Sequence, residues 1–119
     1  MEFESKKPIE QIKEGSYTGK IDNIEYKEST GKKGKYTNAV IQLSVDGTDS
    51  KIWVRYPAFV GPKTKYGELL FRFGADTTPG LKIDDQKVLG GRVCKFIVVE
   101  NGQYSNVIRE SLRPLEVAQ

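Results

Sequence analysis

Two apolar/polar alternations joined by an Asp–Gly pair constrain this chain more than any other feature. Ala39, Ile41, Leu43 and Val45 alternate with Asn38, Val40, Gln42 and Ser44. After Asp46–Gly47, Ile52, Val54 and Tyr56 alternate with Lys51, Trp53 and Arg55. A period of two sends successive side chains to opposite faces of a strand, and Asp-Gly supplies the positive φ of a tight hairpin turn. The pattern therefore predicts an antiparallel hairpin with strands at about 36–45 and 50–56, one face of it in a core. Pro57 ends the second strand, because it has no N–H for a ladder. Lys51, Trp53 and Arg55 are left on the outer face.

The rest of the chain reads around that hairpin. Gly15 and Ser16 open a first strand, Tyr17–Lys27. Tyr17, Gly19 and Ile21 share one parity, Ile24 and Tyr26 the other, so a β-bulge is expected near Asp22–Asn23. Glu28–Lys35 reads as a turn-rich loop ending GKKGK. Over residues 64–74 the period changes: Tyr66, Leu69, Leu70 and Phe73 fall on one helical stripe, with Thr64 as its start and Gly74 as its end. Asp84 can cap a further helical turn over Asp84–Leu89. Gly90–Gly91 leads into a fourth strand, Arg92–Glu100, whose core parity stays open, since Cys94, Phe96 and Val98 compete with Val93, Ile97 and Val99. Asn101–Gly102 then turns the chain into a fifth strand, Tyr104–Arg109. Leu112 and Leu115 are expected to seal the edge, and Ile41, Ile52 and Ile108 to share one core. Residues 1–14 form an N-terminal arm and 15–115 the domain. The expected fold is mainly β: a five-stranded barrel with one short helix between strands three and four, the order of the OB-type barrel. A four-stranded sheet with one packed helix is the competing closure.

Composition narrows the function. With 119 residues the chain suits one domain, and a single core suffices without metal or disulfide. It contains no histidine, which removes the commonest general base and metal ligand. The one cysteine, Cys94, lies in an apolar run and reads as a small buried hydrophobe. Asp84–Asp85 are adjacent and do not converge as a metal or acid/base pair would. Binding is expected rather than catalysis, with no cofactor. No stretch approaches 18 apolar residues and Met1–Glu4 is acidic, so the reading is cytoplasmic, with no membrane partner. The net charge is only +3, but residues 17–36, 51–72 and 92–109 contribute +2, +4 and +2 while the remainder carries −5. Basic charge concentrated on the strands and their loops suits a phosphate-backbone ligand.

At this point a resemblance enters. EGSYTGKIDNIE (Glu14–Glu25), the GKKGKY loop, the glycine pair before RVCKFIVVENGQYSNVI (Arg92–Ile108) and the closing LRPL resemble phage-encoded single-stranded-DNA-binding proteins of the OB-fold type. The resemblance implies a protein that coats single-stranded DNA during replication or recombination, in the host cytoplasm. It brings in homo-oligomers and replication or recombination proteins as partners. Bacterial housekeeping proteins of this class end in an acidic tail, whereas Leu115–Gln119 has one acid.

The strongest constellation is Lys51-Trp53-Arg55, an indole between two cations, suited to base stacking with phosphate clamps. Packing of Trp53 under the helix or the arm is the plain alternative. Lys32, Lys33, Lys35 and Tyr36 lie on the loop that flanks the binding face in OB domains, where a solvated charged loop is the alternative. Gly31–Gly34 reads G-x-x-G, but its flanks are strands rather than the helices of a KH clamp, and P-loop spacing is absent. Lys95, Tyr104 and Arg109 mark the end near the last hairpin, with Lys20 a weaker addition. These residues make single-stranded DNA the expected ligand. RNA, and a protein-interaction module anchored on Trp53, remain the alternatives.

Overall fold

The computed structural model describes residues 12–32, 34–58, 64–102 and 104–115. Six strands form one antiparallel sheet: β1 (Gly15–Gly31), β2 (Gly34–Val45), β3 (Lys51–Pro57), β4 (Val93–Asn101), β5 (Tyr104–Val107) and the short β6 (Arg113–Pro114). The order across the sheet is β3-β2-β1-β4-β5, and β6 also pairs with β4. Two helices follow β3, α1 (Lys65–Arg72) and α2 (Asp85–Leu89).

β1 serves two partners because it bends. Its first part pairs with β4, from Gly15↔Val98 to Lys20↔Val93, and its longer part pairs with β2. The β1–β2 register slips between Ile21 and Asn23, so the expected bulge is present and the parity switch is real. Gly19 lies where both ladders meet. A Cβ there would stand 1.9 Å from the Ser44 carbonyl oxygen, so only glycine lets the two strands approach this closely.

The alternation of β3 acts as expected, whereas in β2 Asn38 and Val40 of the outer parity are buried along with the core parity. Ile41, Leu43, Ile52, Val54 and Tyr56 are buried in one core, while Lys51, Trp53 and Arg55 face outwards. Tyr66, Leu69, Leu70 and Phe73 of α1 join that core. Thr64 caps α1 by accepting from the Gly67 N–H at 3.1 Å, and Asp84 caps α2 by accepting from the Lys87 N–H. On β4 the pairing with β1 settles the parity: Cys94, Phe96 and Val98 go inwards, Val93 and Ile97 outwards. Burial pushes the Cys94 thiol up to about 12, so it stays protonated.

Four expectations are corrected. Glu28–Lys35 is no loose loop. It continues β1 and β2 as a paired ribbon, from Glu28↔Thr37 to Gly31↔Gly34, closed by a tight turn in which Gly34 takes φ +110°. The register puts Gly31 and Gly34 opposite one another, which leaves room only for a short turn. The sheet also does not close into a five-stranded barrel. β3 and β5 lie side by side, yet no ladder joins them among the described residues. β5 is only four residues long and the chain then winds into a 3-10 turn, Arg109–Ser111, which takes away the edge that closure needs. A side chain spans the gap instead: the Tyr56 hydroxyl donates to the Arg109 carbonyl at 2.8 Å. Finally, Val107 rather than Ile108 is the core residue of β5, because Val98↔Val107 puts Val107 on the inner face and Ile108 begins the turn. Leu112 is buried as an edge seal, whereas Leu115 is exposed.

The helices are tied back to the ribbon's root by polar contacts. Tyr26 and Tyr66 both donate to Oδ2 of Asp85, Tyr66 at 2.5 Å. Gln86 Nε2 donates to the Ile24 carbonyl at 3.2 Å. One carboxylate thereby joins β1, α1 and α2. No helix among the described residues is long and apolar enough to cross a membrane.

Candidate nucleic-acid interface

The outer face of β3 carries the most conspicuous group of the molecule. Trp53 is 54% exposed, so it is not buried under the helix. Its register partner is Gln42, with Lys51 opposite Ser44 and Arg55 opposite Val40. Lys51 is engaged: its Nζ lies 3.3 Å from Oδ2 of Asp22, the bulge residue. Arg55 makes no hydrogen bond or ion pair among the described residues.

The gap between β3 and β5 deepens this face into a cleft. Trp53, Val54 and Arg55 form one wall and Asn106, Val107 and Arg109 the other, around a volume of about 370 Å³. The successive antiparallel pairings make β3 and β5 run in the same direction. Arg109 is held from three sides. Its guanidinium carbon lies 5.9 Å over the Tyr56 ring, and its carbonyl accepts from Tyr56 and, at 3.1 Å, from Arg72 Nη2. Arg72 also donates to the Leu112 carbonyl at 2.9 Å, which fixes the turn that presents Arg109. Burial pushes the Tyr56 hydroxyl well above the ordinary tyrosine range, and nearby Arg72 and Arg109 only partly oppose it. It therefore remains a hydrogen-bond donor to this turn.

The other expected site residues divide. Tyr104 is 67% exposed and lies two residues before Asn106, with the same strand parity, so it extends the β5 wall. Tyr36 projects on the same side of the β1–β2 ribbon as Asn38 and Val40, the side that continues the Trp53 face. A Cβ on Gly31 would meet its ring at 3.1 Å, which shows how closely Tyr36 lies over the turn. Lys35 is exposed but has the opposite parity, so it points to the other side of the ribbon from Tyr36. Lys32 is exposed at the turn, and Lys33 lies outside the described residues. Lys20 shares the outer row Lys51–Ser44–Lys20, at the far end of the face.

Lys95 belongs elsewhere. It stands opposite Thr18 on one side and Arg113 on the other, where β4 pairs with β6 rather than β5. There it lines a separate hollow of about 240 Å³ with Ser16, Tyr17, Ile97 and Arg113. Charge counting by sequence window also overstated the face. Lys65 pairs with Glu110 at 2.9 Å, Arg72 holds the turn, and Arg92 donates to the Phe73 carbonyl while its guanidinium lies 5.4 Å over the Phe73 ring.

Sequence reasoning missed Asn106 and Arg113. Asn106 was within reach, since it repeats the parity of Tyr104. Arg113 carried no local signal, because its pairing with Lys95 crosses 18 residues of chain. Among the described residues no three His, Cys, Asp or Glu side chains group as metal ligands would. The chain matches no family model, no curated protein and no solved structure, so the reading of this face rests on its own chemistry.

Proposed function

We propose that this chain binds single-stranded DNA in a sequence-tolerant way, coating it during phage replication or recombination in the host cytoplasm. The observation that carries the reading is Trp53: a half-exposed indole between Lys51 and Arg55, at the mouth of a cleft shared with Arg109. An exposed π-face flanked by cations suits a base that stacks and phosphates that pair, whatever the base. The fold supports the same reading in its finer form. A sheet of order β3-β2-β1-β4-β5, with β3 beside β5 and a helix after β3, has the element order of an OB-type barrel although it does not close, which supports that reading. In such a barrel the face of β2 and β3 and the β1–β2 and β4–β5 connections form the ligand surface. Here these are the Trp53 face, the ribbon with Tyr36, and the hairpin before Tyr104. RNA would meet the same groups, and only contacts to the 2′-hydroxyl would separate the two ligands.

Gel shifts with single-stranded DNA, single-stranded RNA and duplex, each over a salt series, test this. Single strands should bind in preference to duplex, and log K should fall against log salt by about 0.7 per phosphate contact. Equal weakness toward all three at low salt would refute it. A second reading is a protein-interaction role, and a separate observation favours it. Val93 and Ile97 are 49% and 42% exposed on β4, with Lys95 between them and Arg113 beside it. Exposed aliphatic groups interleaved with cations suit a protein partner.

A further inference from the structure

The strand register joins two regions that the sequence keeps apart. Lys20 belongs to both ladders of β1: it stands opposite Ser44 on β2 and opposite Val93 on β4. Ser44 in turn stands opposite Lys51. Residues directly opposite in a ladder share a face of the sheet. Lys51, Ser44, Lys20 and Val93 therefore form one outward row across four strands, and the row starts two residues from Trp53. Lys95 follows Val93 on the same exposed parity of β4, and Arg113 of β6 stands directly opposite Lys95. Strands lie about 4.8 Å apart and alternate residues about 6.7 Å, so steps of about 10, 8 and 5 Å lead from Lys51 to Lys20, Lys95 and Arg113.

The far end of this row is not neutralised. Lys20, Lys95 and Arg113 are exposed, and their charged groups make no ion pair or hydrogen bond among the described residues. Two acids border the row, and both are engaged elsewhere. Asp22 faces Lys51 at 3.3 Å, and Asp46 accepts from the Thr18 hydroxyl at 2.7 Å. Like charges directly opposite in a ladder destabilise it, yet Lys95 and Arg113 are held so by the β4–β6 pairing and by the Leu115 N–H donating to the Val93 carbonyl at 3.1 Å. An anion between the two would remove the repulsion.

Resting on the single-strand reading above, we propose that the bound strand does not end at the Trp53 face but crosses β1 along this row, with Lys20 as the bridge and the Lys95–Arg113 pair as a second phosphate anchor in the hollow beside β6. A phosphodiester backbone is the occupant that fits, because it carries one negative charge at each step and can meet cations spread across the sheet in turn. The row is continuous with the Trp53 face, so a single ligand reaches both. The added contacts are sequence-independent, and a track of about 20 Å keeps the footprint within the roughly 4–16 nucleotides that one OB domain covers.

Trp53 emission reports binding, and oligo(dT) of about 4 and about 12 nucleotides separates the two ends of the track, since the shorter strand reaches little beyond the indole. Lys95→Ala/Arg113→Ala should bind the short oligomer within about twofold of wild type and the long one roughly fivefold or more weakly at low salt. For the long oligomer, the slope of log K against log salt should shrink by about 1.4, two contacts at about 0.7 each. Lys20→Ala should shrink it by about 0.7 and decides the matter by itself if circular dichroism shows the double variant disturbed. Lys35→Ala, on the opposite side of the ribbon, controls for lost charge alone. A wild-type slope in the Lys20 and Lys95/Arg113 variants overturns the proposal, as does an equal loss on both lengths, which marks a general charge effect. If Trp53→Ala weakens both oligomers while those variants match wild type, the single-strand reading stands, the track falls, and the β4 surface is left to a protein partner. If wild type binds neither oligomer, both fall.

Discussion

Replacing Trp53 by alanine separates a binding surface from a structural one, because the two roles carry different magnitudes. A fully buried tryptophan hides on the order of 250 Å². Trp53 is 54% exposed, so less than half of its surface is shielded from water. At about 25 cal/mol per Å² the lost burial cannot exceed about 3 kcal/mol. Alanine keeps the Cβ and the unfolded chain is itself partly compact, so a cost of about 1–2 kcal/mol is expected. A domain with about 5–15 kcal/mol of stability survives that. Stacking on an aromatic is worth about 1–3 kcal/mol per base by alanine substitution, so single-strand affinity should drop about 5- to 150-fold. Trp53→Phe keeps a π-face and should recover most of the affinity, whereas Trp53→Leu, apolar but not aromatic, should not. Trp53 is also the only tryptophan, so its emission reports on this place alone and should be quenched when a strand binds. Fluorescence titration of the three variants, with thermal melts beside them, completes the assay. A folded Trp53→Ala protein that binds within twofold of wild type would refute the reasoning, as would emission that oligonucleotide leaves unchanged.

Other outcomes follow from the geometry. Arg55→Ala should reduce the salt slope of single-strand binding by about 0.7 if it meets one phosphate, whereas Lys35→Ala, on the opposite side of the ribbon, should leave the slope unchanged. Gly19→Ala should destabilise the fold by several kcal/mol, because its Cβ would meet the Ser44 carbonyl oxygen at 1.9 Å; an unaltered melting temperature would show that the crossing can open. Partial burial, and then its bond to Asp85, pushes the Tyr26 hydroxyl up to about 12 from 10.0. The folded value lies above the unfolded one, so this contribution to stability is full below pH 10.0 and is lost as pH rises through about 12. Tyr26→Phe should therefore show a shallower alkaline loss in denaturant titrations, with the phenolate absorbance of the wild type rising over the same window.

Much of this architecture was legible in local pattern, and for a stated reason: strand parity, helical period and caps depend on neighbours a few residues away. Ile52, Val54 and Tyr56 commit Trp53 to the outer face whatever the rest of the chain does. Tyr66, Leu69, Leu70 and Phe73 demand a helix with one buried stripe, and Thr64 and Asp84 start their helices from within four residues. The switch of parity across Asp22–Asn23 announces the bulge. What local pattern could not reach depends on which strands meet. Both parities of β4 are apolar, and only its ladder with β1 chooses Cys94, Phe96 and Val98. The GKKG turn looks like a loop until Thr30 and Lys35 find each other across it. Charge alone cannot say that Lys51 turns to Asp22, Lys65 to Glu110 and Arg72 to two carbonyls, leaving Arg55 open. Above all, Trp53, Asn106 and Arg109 share a cleft because the curled sheet brings its two edge strands together while the turn after Val107 keeps them from pairing. That juxtaposition spans more than 50 residues of chain, and it exists only once the whole sheet has formed.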